Sequence, residues 1–217
     1  MDDIQKSLED SIEDASLSTI TNTFLDIDID EWQNVLGDLS NNEVVKNVPI
    51  LKWLAALYST SKTISTHLLM KKIARFLYQL KDIPIEERQS FLNKMNSKDR
   101  RKLLDNLILI LEKHDNFTKS DILGKLFEAF IRGELTQEEF SKLNYATNLI
   151  NVDSIKELLK FYGGDTILPV EVIYNFGFLQ LISIDNSLLG TYGGGQPRYL
   201  GNSLGRKFVV MLSRMNP

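Results

Sequence analysis

The chain has 217 residues, 43% of them hydrophobic, and its formal net charge is −4. A chain of this length buries well over half of its unfolded surface, so it can fold without cross-links. It contains no cysteine, which excludes disulfide bonds and thiolate metal sites and favours a reducing compartment.

The first part of the chain is strongly acidic. Residues 1–31 contain ten acidic side chains and a single lysine. They show neither the basic nor the apolar region of a secretory signal, so we expect a cytoplasmic protein. Ile4, Leu8 and Ile12 recur at four-residue steps, which is typical of a short helix with one face available for docking. The pattern predicts an acidic N-terminal arm over residues 1–40 as the most mobile part of the chain.

Residues 41–162 carry helical periodicity and are predicted to form a multi-helix bundle. Proline or capping residues mark the helix starts, with acidic residues in several first turns. The clearest of these signals are Pro49, Pro84, Ser97, the pair Thr118 and Asp121, and the pair Thr136 and Glu139. Gly133 is expected to end one helix in a left-handed conformation, and Gly163-Gly164 is expected to end the bundle.

Residues 165–217 follow a different order of elements. Pro169 is expected to start a helix, residues 181–184 and 197–200 to form two short strands, and Asn202 to cap a last helix. The glycine-rich stretch between the strands lacks the Gly-Lys-Ser/Thr ending of a nucleotide-binding loop. Helix, strand, loop, strand and helix is the order found in the back half of a winged-helix domain. The expected fold is mainly α-helical, a multi-helix bundle followed by a small winged-helix-like α/β module with one β-hairpin.

No set of side chains suited to catalysis can be recognised from spacing. The two histidines, His67 and His114, fall on different predicted helices, and neither has a second histidine at metal-ligand spacing. Acids alternate over residues 26–30, but Glu31 and Gly37 occupy the positions where a calcium loop requires glycine and glutamate. We therefore expect a non-enzymatic protein without a metal or another cofactor.

Basic side chains concentrate in two parts of the chain. Six of them belong to the predicted bundle and form a candidate protein-binding patch: Lys71, Lys72, Arg75, Arg100, Arg101 and Lys102. Their charge is complementary to that of the acidic arm, which can cover them in the free protein. Three more follow the glycine-rich stretch and form a candidate nucleic-acid site: Arg198, Arg206 and Lys207. The first set favours a protein partner, and the second leaves nucleic acid as an alternative.

The C-terminal residues resemble part of a known domain. Residues 199–206, Tyr-Leu-Gly-Asn-Ser-Leu-Gly-Arg, are similar to the Tyr-x-Leu-Thr-x-x-Gly segment that closes the wing in many bacterial winged-helix proteins. Residues 176–179, Phe-Gly-Phe-Leu, are similar to the Leu-x-x-x-Gly-Leu-Leu stretch of the same proteins. Asn202 replaces the usual threonine cap, and Gly201 replaces an apolar residue. The resemblance implies a wing that contacts nucleic acid.

A second resemblance covers a longer part of the chain. Residues 48–77, 87–91 and 123–127 look like the corresponding parts of small helical bacterial proteins of abortive-infection-alpha type. That resemblance implies a role in phage defence, and the group offers no catalytic motif to carry over.

We therefore expect a non-enzymatic interaction protein, a sensor or accessory component of bacterial phage defence that acts through protein partners. A nucleic-acid-binding regulator that uses the C-terminal wing is one alternative. A membrane-active effector that uses the apolar segment from Val48 to Tyr58 is another. No transmembrane segment is predicted, because this segment and the one from Leu103 to Leu111 are far shorter than the ~20 apolar residues of a spanning helix.

Overall fold

The computed structural model describes residues 2–14, 17, 48–50, 52, 53, 56, 64–165, 168–185 and 197–215. These residues form nine α-helices and one two-stranded antiparallel sheet, which confirms the prediction of a mainly helical protein. None of the described helices is long and apolar enough to cross a membrane. The chain divides into two compact units, Met1–Arg132 and Gly133–Pro217.

The division between the units falls at Gly133, whereas the sequence placed a boundary at Gly163-Gly164. Gly133 has a φ of 72° and Gly164 a φ of 105°, so both lie in the left-handed region, as predicted for Gly133. The helix that follows Gly133 packs against the last helix of the chain and therefore belongs to the second unit. The module predicted for residues 165–217 is thus part of a larger unit.

The described part of the first unit contains five helices, α1 to α5, which are Asp2–Glu13, Ile64–Tyr78, Ile85–Asn93, Ser97–Lys113 and Phe117–Ile131. Asparagines cap two of them. Asn96 accepts a hydrogen bond of 2.9 Å from the backbone N–H of Asp99, and Asn116 accepts one of 2.8 Å from that of Thr118. The caps predicted at Ser97 and Thr118 are wrong, because the preceding asparagines already bond the free N–H groups.

The core of the first unit lies between α2 and α5. Gly124 allows the two helices to approach closely, since a Cβ at this position would lie 2.7 Å from the carbonyl oxygen of Phe76. Phe76 packs on Phe127 with ring centroids 5.5 Å apart, and Phe91 from α3 meets Phe127 edge-on at 5.7 Å. These contacts fix the position of α2 and of the basic side chains that it carries.

The first helix, α1, packs against α3 and α4. Its residues Leu8 and Ile12 are fully buried. Residues 2–13 of the predicted acidic arm are therefore packed against the first unit, because the four-residue spacing of these aliphatic side chains gives α1 an apolar face to bury. The rest of the predicted arm, apart from Asp14 and Leu17, lies outside the described residues.

The described part of the second unit contains four helices and the sheet: α6 is Gln137–Leu149, α7 Ile155–Tyr162, α8 Val170–Phe178, β1 Ile182–Asp185, β2 Arg198–Gly201 and α9 Ser203–Ser213. The capping box predicted before α6 is confirmed: the N–H of Glu139 lies 3.2 Å from the Thr136 hydroxyl, and the N–H of Thr136 lies 2.9 Å from the Glu139 carboxylate. The cap predicted for the last helix is confirmed too, since Asn202 accepts a hydrogen bond of 2.8 Å from the N–H of Gly205.

The predicted pair of short strands is confirmed, with each strand shifted by one residue. The strands pair antiparallel, so that Ile184 lies opposite Tyr199 and Asp185 lies opposite Arg198. Opposite residues of an antiparallel pair share a face of the sheet. Ile184 and Tyr199 therefore lie on one face, and Asp185 and Arg198 on the other.

Tyr162, the last residue of α7, joins three elements of the second unit. Its hydroxyl donates a hydrogen bond of 2.5 Å to the carbonyl oxygen of Leu181, next to β1, and accepts one of 3.1 Å from the N–H of Asn202, next to α9. A Cβ at Gly205 would overlap both the Leu181 carbonyl oxygen and the Tyr162 hydroxyl. Glycine at this position therefore lets α9 begin directly against the start of the sheet.

Candidate functional site

The three basic residues predicted on α2 all make contacts inside the first unit. Arg75 forms a bidentate ion pair with Asp121 of α5, its Nε lying 3.1 and 3.0 Å from the two carboxylate oxygens. Lys72 donates a hydrogen bond of 3.0 Å to a carbonyl oxygen in the last turn of α4, and burial lowers its pKa. The Nζ of Lys71 lies 5.1 Å from the ring centroid of Phe117. These cations therefore hold α2 against the ends of α4 and α5.

The other three basic residues of the predicted patch lie at the start of α4. Arg100 forms an ion pair with Glu9 of α1, with Nη1 2.6 Å from the carboxylate oxygen. Arg101 and Lys102 are exposed. The six residues are thus divided between two helices, and the acidic α1 covers Arg100, in the way that the charge pattern suggested for the acidic arm.

The three residues proposed for nucleic-acid binding have different surroundings. Lys207 lies 2.7 and 2.8 Å from the two carboxylate oxygens of Glu139 and donates a further hydrogen bond of 3.1 Å to the carbonyl oxygen of Glu134. The hydrogen bond from Lys207 is the main reason why the pKa of Glu139 is lowered. Arg198 and Arg206 are exposed. Lys207 therefore ties α9 to α6, while the two arginines point their charge to solvent.

His114 is buried at the C-terminal end of α4, where it is 2% exposed. Its Nδ1 lies 3.1 Å from the hydroxyl oxygen of Ser120, and its Nε2 has no hydrogen-bond partner among the described residues. Burial, reinforced by the charges of Lys72 and Lys119, lowers the pKa of His114 to about 4, so the imidazole is neutral near pH 7. Ser120 is fully buried as well. This pair is closed to a substrate and acts in packing.

No group of three histidine or acidic side chains among the described residues is arranged to hold a metal ion. His67 belongs to α2, but its side chain and the alternating acids of residues 26–30 fall outside what the structure describes.

The second unit exposes an apolar surface that the sequence reasoning did not single out. Val170, Tyr174 and Phe178 recur at four-residue steps along α8 and are 61%, 56% and 67% exposed. Desolvation and the neighbouring hydroxyl of Tyr174 raise the pKa of Tyr199 of β2, and Ile184 of β1 is 38% exposed. We call these five residues the α8 face.

The α8 face is continuous across the helix and the sheet. A Cβ at Gly177 would lie 2.9 Å from the Cδ1 of Ile184, so the side chain of Ile184 reaches α8 between Tyr174 and Phe178. Ile184 lies opposite Tyr199 in the sheet, and Tyr199 lies near enough to Tyr174 for that tyrosine to raise its pKa. The aromatic and aliphatic groups therefore form one connected patch.

The other side of α8 is apolar as well, which explains why the sequence does not reveal the α8 face. On the opposite side of α8, Ile173 and Phe176 are buried. The helix is consequently apolar on both sides, and Glu171 is its only charged residue. A helix that is apolar on both sides is usually buried, so the sequence of α8 gives no sign that one side stays in solvent.

Comparisons with protein-family models, with curated proteins and with solved structures find no match to this chain. The resemblances to winged-helix proteins and to proteins of abortive-infection-alpha type therefore stay predictions. The functional conclusion rests on the site itself.

Proposed function

We propose that the chain is a non-enzymatic interaction protein whose second unit binds a protein partner through the α8 face. The observation that carries this proposal is the exposure of Val170, Tyr174 and Phe178 along one side of α8. Soluble domains rarely expose a connected patch of large apolar groups, and such patches usually mark binding surfaces.

The chemistry of the α8 face favours a protein as the occupant. Aromatic side chains are enriched at protein interfaces, and charged side chains are depleted at the interface core. Tyr174 and Phe178 supply the aromatic groups, and α8 carries no basic residue that could neutralise a phosphate. The matching partner surface is apolar and uncharged. In phage defence, the setting implied by the sequence resemblance, a protein of this kind would serve as a sensor or accessory component.

Nucleic-acid binding is the second candidate, supported by the exposed Arg198 and Arg206 and by the order helix, strand, strand, helix that a winged-helix domain shares. The engagement of Lys207 with Glu139 weighs against it, since a phosphate would have to replace an existing carboxylate contact. The membrane-active alternative has less support, because Val48 and Ile50 of its apolar segment are fully buried.

A matched pair of variants tests the protein-binding proposal. Tyr174→Ser combined with Phe178→Ser removes the centre of the α8 face, and Tyr145→Ser changes a tyrosine of α6 with the same 56% exposure. Proteins cross-linked in cells to the wild-type chain, but not to the double variant, would be purified and titrated by calorimetry. We expect the double variant to bind at least tenfold more weakly and Tyr145→Ser to bind within twofold of wild type.

Two results would contradict the proposal. One is equal binding by the double variant, with its circular dichroism unchanged. The other is nanomolar binding of duplex DNA at physiological salt, measured by fluorescence anisotropy, that disappears in the combined variant Arg198→Ala and Arg206→Ala. That result would favour nucleic-acid binding over protein binding.

A further inference from the structure

Helix α1 lies in a polar groove formed by α3 and α4, which we call the α1 groove and define by Arg88, Arg100 and Asp105. Each turn of α1 meets one of these residues. Gln5 donates from its side-chain amide to the carboxylate of Asp105, and Glu9 forms its ion pair with Arg100. Gln5 and Glu9 therefore contact the groove from positions four residues apart, on one side of α1.

The third contact is made to the backbone at the end of α1. The Nη1 of Arg88 donates hydrogen bonds to the carbonyl oxygens of Ile12 and Asp14, at 2.6 and 2.9 Å. The Nε of the same side chain donates to the carbonyl oxygen of Ile83 at 3.1 Å, just before α3, which holds the guanidinium in place. Arg88 thus presents an oriented cation to the carbonyl groups at a helix C-terminus.

The sequence of α1 lacks what Arg88 supplies. The last turn of α1 contains no basic residue, and Glu13 stands there, where a negative charge opposes the helix dipole. Burial raises the pKa of Glu13, with Glu9 adding to the effect, which agrees with an unfavourable site for its charge. A helix of 12 residues is marginal in water on its own. The helical conformation of α1 therefore depends on the groove.

The apolar part of the contact comes from three residues of α1. Leu8 and Ile12 are fully buried, Ile4 is half-buried, and the remaining buried residues of α1 are the polar Gln5 and Ser11. The hydroxyl of Ser11 accepts a hydrogen bond of 2.8 Å from the N–H of Ile50. Water can replace these polar contacts when α1 leaves, and burial lowers the pKa of Arg88, because desolvation of its charge is unfavourable.

From these contacts we propose that the α1 groove is a receptor for an acidic amphipathic helix of a partner protein, and that α1 is its displaceable occupant within the same chain. The partner helix carries a carboxylate at the place of Glu9, aliphatic residues at the places of Leu8 and Ile12, and a C-terminal end that Arg88 can bond. Charge complementarity to Arg88 and Arg100 selects an acidic helix. This binding site belongs to the first unit, whereas the α8 face belongs to the second.

A labelled peptide of residues 2–14 serves as the probe for the groove. The full chain with Leu8→Ala and Ile12→Ala keeps the groove but weakens its own occupant. In fluorescence anisotropy, we expect this chain to bind the peptide at least tenfold more tightly than the wild-type chain does. A peptide with Glu9→Lys should lose at least tenfold in affinity, and the further change Arg100→Glu in the chain should restore binding of that peptide selectively.

Hydrogen exchange on the wild-type chain provides a test that requires no variant. The backbone amides of α1 should exchange faster than those of α5, because the helix opens without unfolding the unit. Equal protection of α1 and α5 would overturn the proposal. So would a loss of helical circular dichroism in the doubly changed chain larger than the 12 residues of α1 can account for, because α1 would then be an obligatory part of the core. Absence of peptide binding to that chain, with the helical circular dichroism of its other helices retained, would overturn it as well.

Discussion

The guanidinium of Arg88 lies 2.6 Å from the carbonyl oxygen of Ile12, so a buried cation of α3 caps the C-terminus of α1. This contact joins residues 76 positions apart in the sequence. It gives Arg88, which is 3% exposed, the hydrogen bonds that a buried charge requires. It also makes the end of α1 depend on a side chain from another helix.

We expect Arg88→Met to lower the free energy of unfolding by about 1–3 kcal/mol, because the carbonyl groups of Ile12 and Asp14 lose their donor while the aliphatic part of the side chain is kept. Hydrogen exchange should localise the effect to α1. Gln89→Ala is the matched control: the amide of Gln89 lies 3.4 Å from the carbonyl oxygen of Glu13, at the limit of a hydrogen bond, and its loss should change the free energy by less than about 0.5 kcal/mol. Equal effects of the two variants would contradict the capping role.

The buried His114 predicts how stability depends on pH. Burial lowers its pKa from 6.5 to about 4 in the folded chain, so between these values the unfolded chain binds more protons than the folded one. Stability should therefore fall as the pH is lowered from 6.5 to 4, by about 3 kcal/mol in total for this group. The groups that face His114 are Lys72 of α2, Lys119 of α5 and the neighbouring Asp115. Urea unfolding at intervals of pH measures the slope.

The variant His114→Gln separates this effect from the titration of the carboxylates. Glutamine retains a polar group near Ser120 and does not titrate. The variant should therefore lose clearly less stability than the wild-type chain over the same pH interval. Parallel curves for the two proteins would mean that His114 is free to take up a proton in the folded state.

Local signals in the sequence predicted the parts of the fold that depend on neighbouring residues. The backbone N–H groups are bonded by the capping box at Thr136 and by the cap at Asn202, and the chain turns at the left-handed Gly133. Each feature involves only a few consecutive residues, so it can be recognised in the sequence. Even so, Asn96 caps the helix that Ser97 was expected to cap. Both residue types can serve as caps, and the one directly before the first helical residue does so.

The surroundings of the predicted basic patch depend on contacts between residues that are far apart in the sequence. Arg75 and Asp121 are 46 residues apart, and Arg100 and Glu9 are 91 apart. A run of basic residues therefore looked like an open patch while part of it was paired inside the first unit. The α8 face was missed for the opposite reason: α8 carries apolar residues on both sides, and only the fold decides which side of such a helix remains in solvent.

The close approach of α2 and α5 at Gly124 leads to a prediction about packing. Gly124→Ala should lower the free energy of unfolding by about 1–3 kcal/mol, because the new methyl group would lie 2.7 Å from the carbonyl oxygen of Phe76 and the helices would have to separate. Gly133→Ala provides a contrast. A Cβ there meets nothing within 4 Å, and only its φ of 72° is unfavourable, at a cost of about 1–2 kcal/mol.

The conservative changes tell these two causes apart. Gly133→Asn should recover most of the stability lost in Gly133→Ala, because asparagine tolerates the left-handed conformation. Gly124→Ser should be no better than Gly124→Ala, because any side chain meets the same carbonyl group. Thermal unfolding followed by circular dichroism measures all four variants. A Gly124→Ala chain as stable as wild type would show that α2 and α5 pack less closely than described.

In the second unit, removal of the hydroxyl oxygen of Tyr162 tests how the sheet is held in place. Tyr162→Phe removes the donor to the Leu181 carbonyl oxygen and the acceptor for the Asn202 N–H, and both groups lie beside the buried Gly205. We expect a loss of about 1–3 kcal/mol, since two backbone groups lose their partner and the phenylalanine ring fills the same volume. Burial raises the pKa of Tyr162, so the hydroxyl remains protonated at neutral pH.

Tyr145→Phe, at a position 56% exposed, should change the stability by less than about 0.5 kcal/mol. Because β1 begins next to Leu181, exchange of the β1 amides should quicken in Tyr162→Phe and remain unchanged in Tyr145→Phe. Unchanged exchange in both variants would mean that the sheet is held without the Tyr162 hydroxyl.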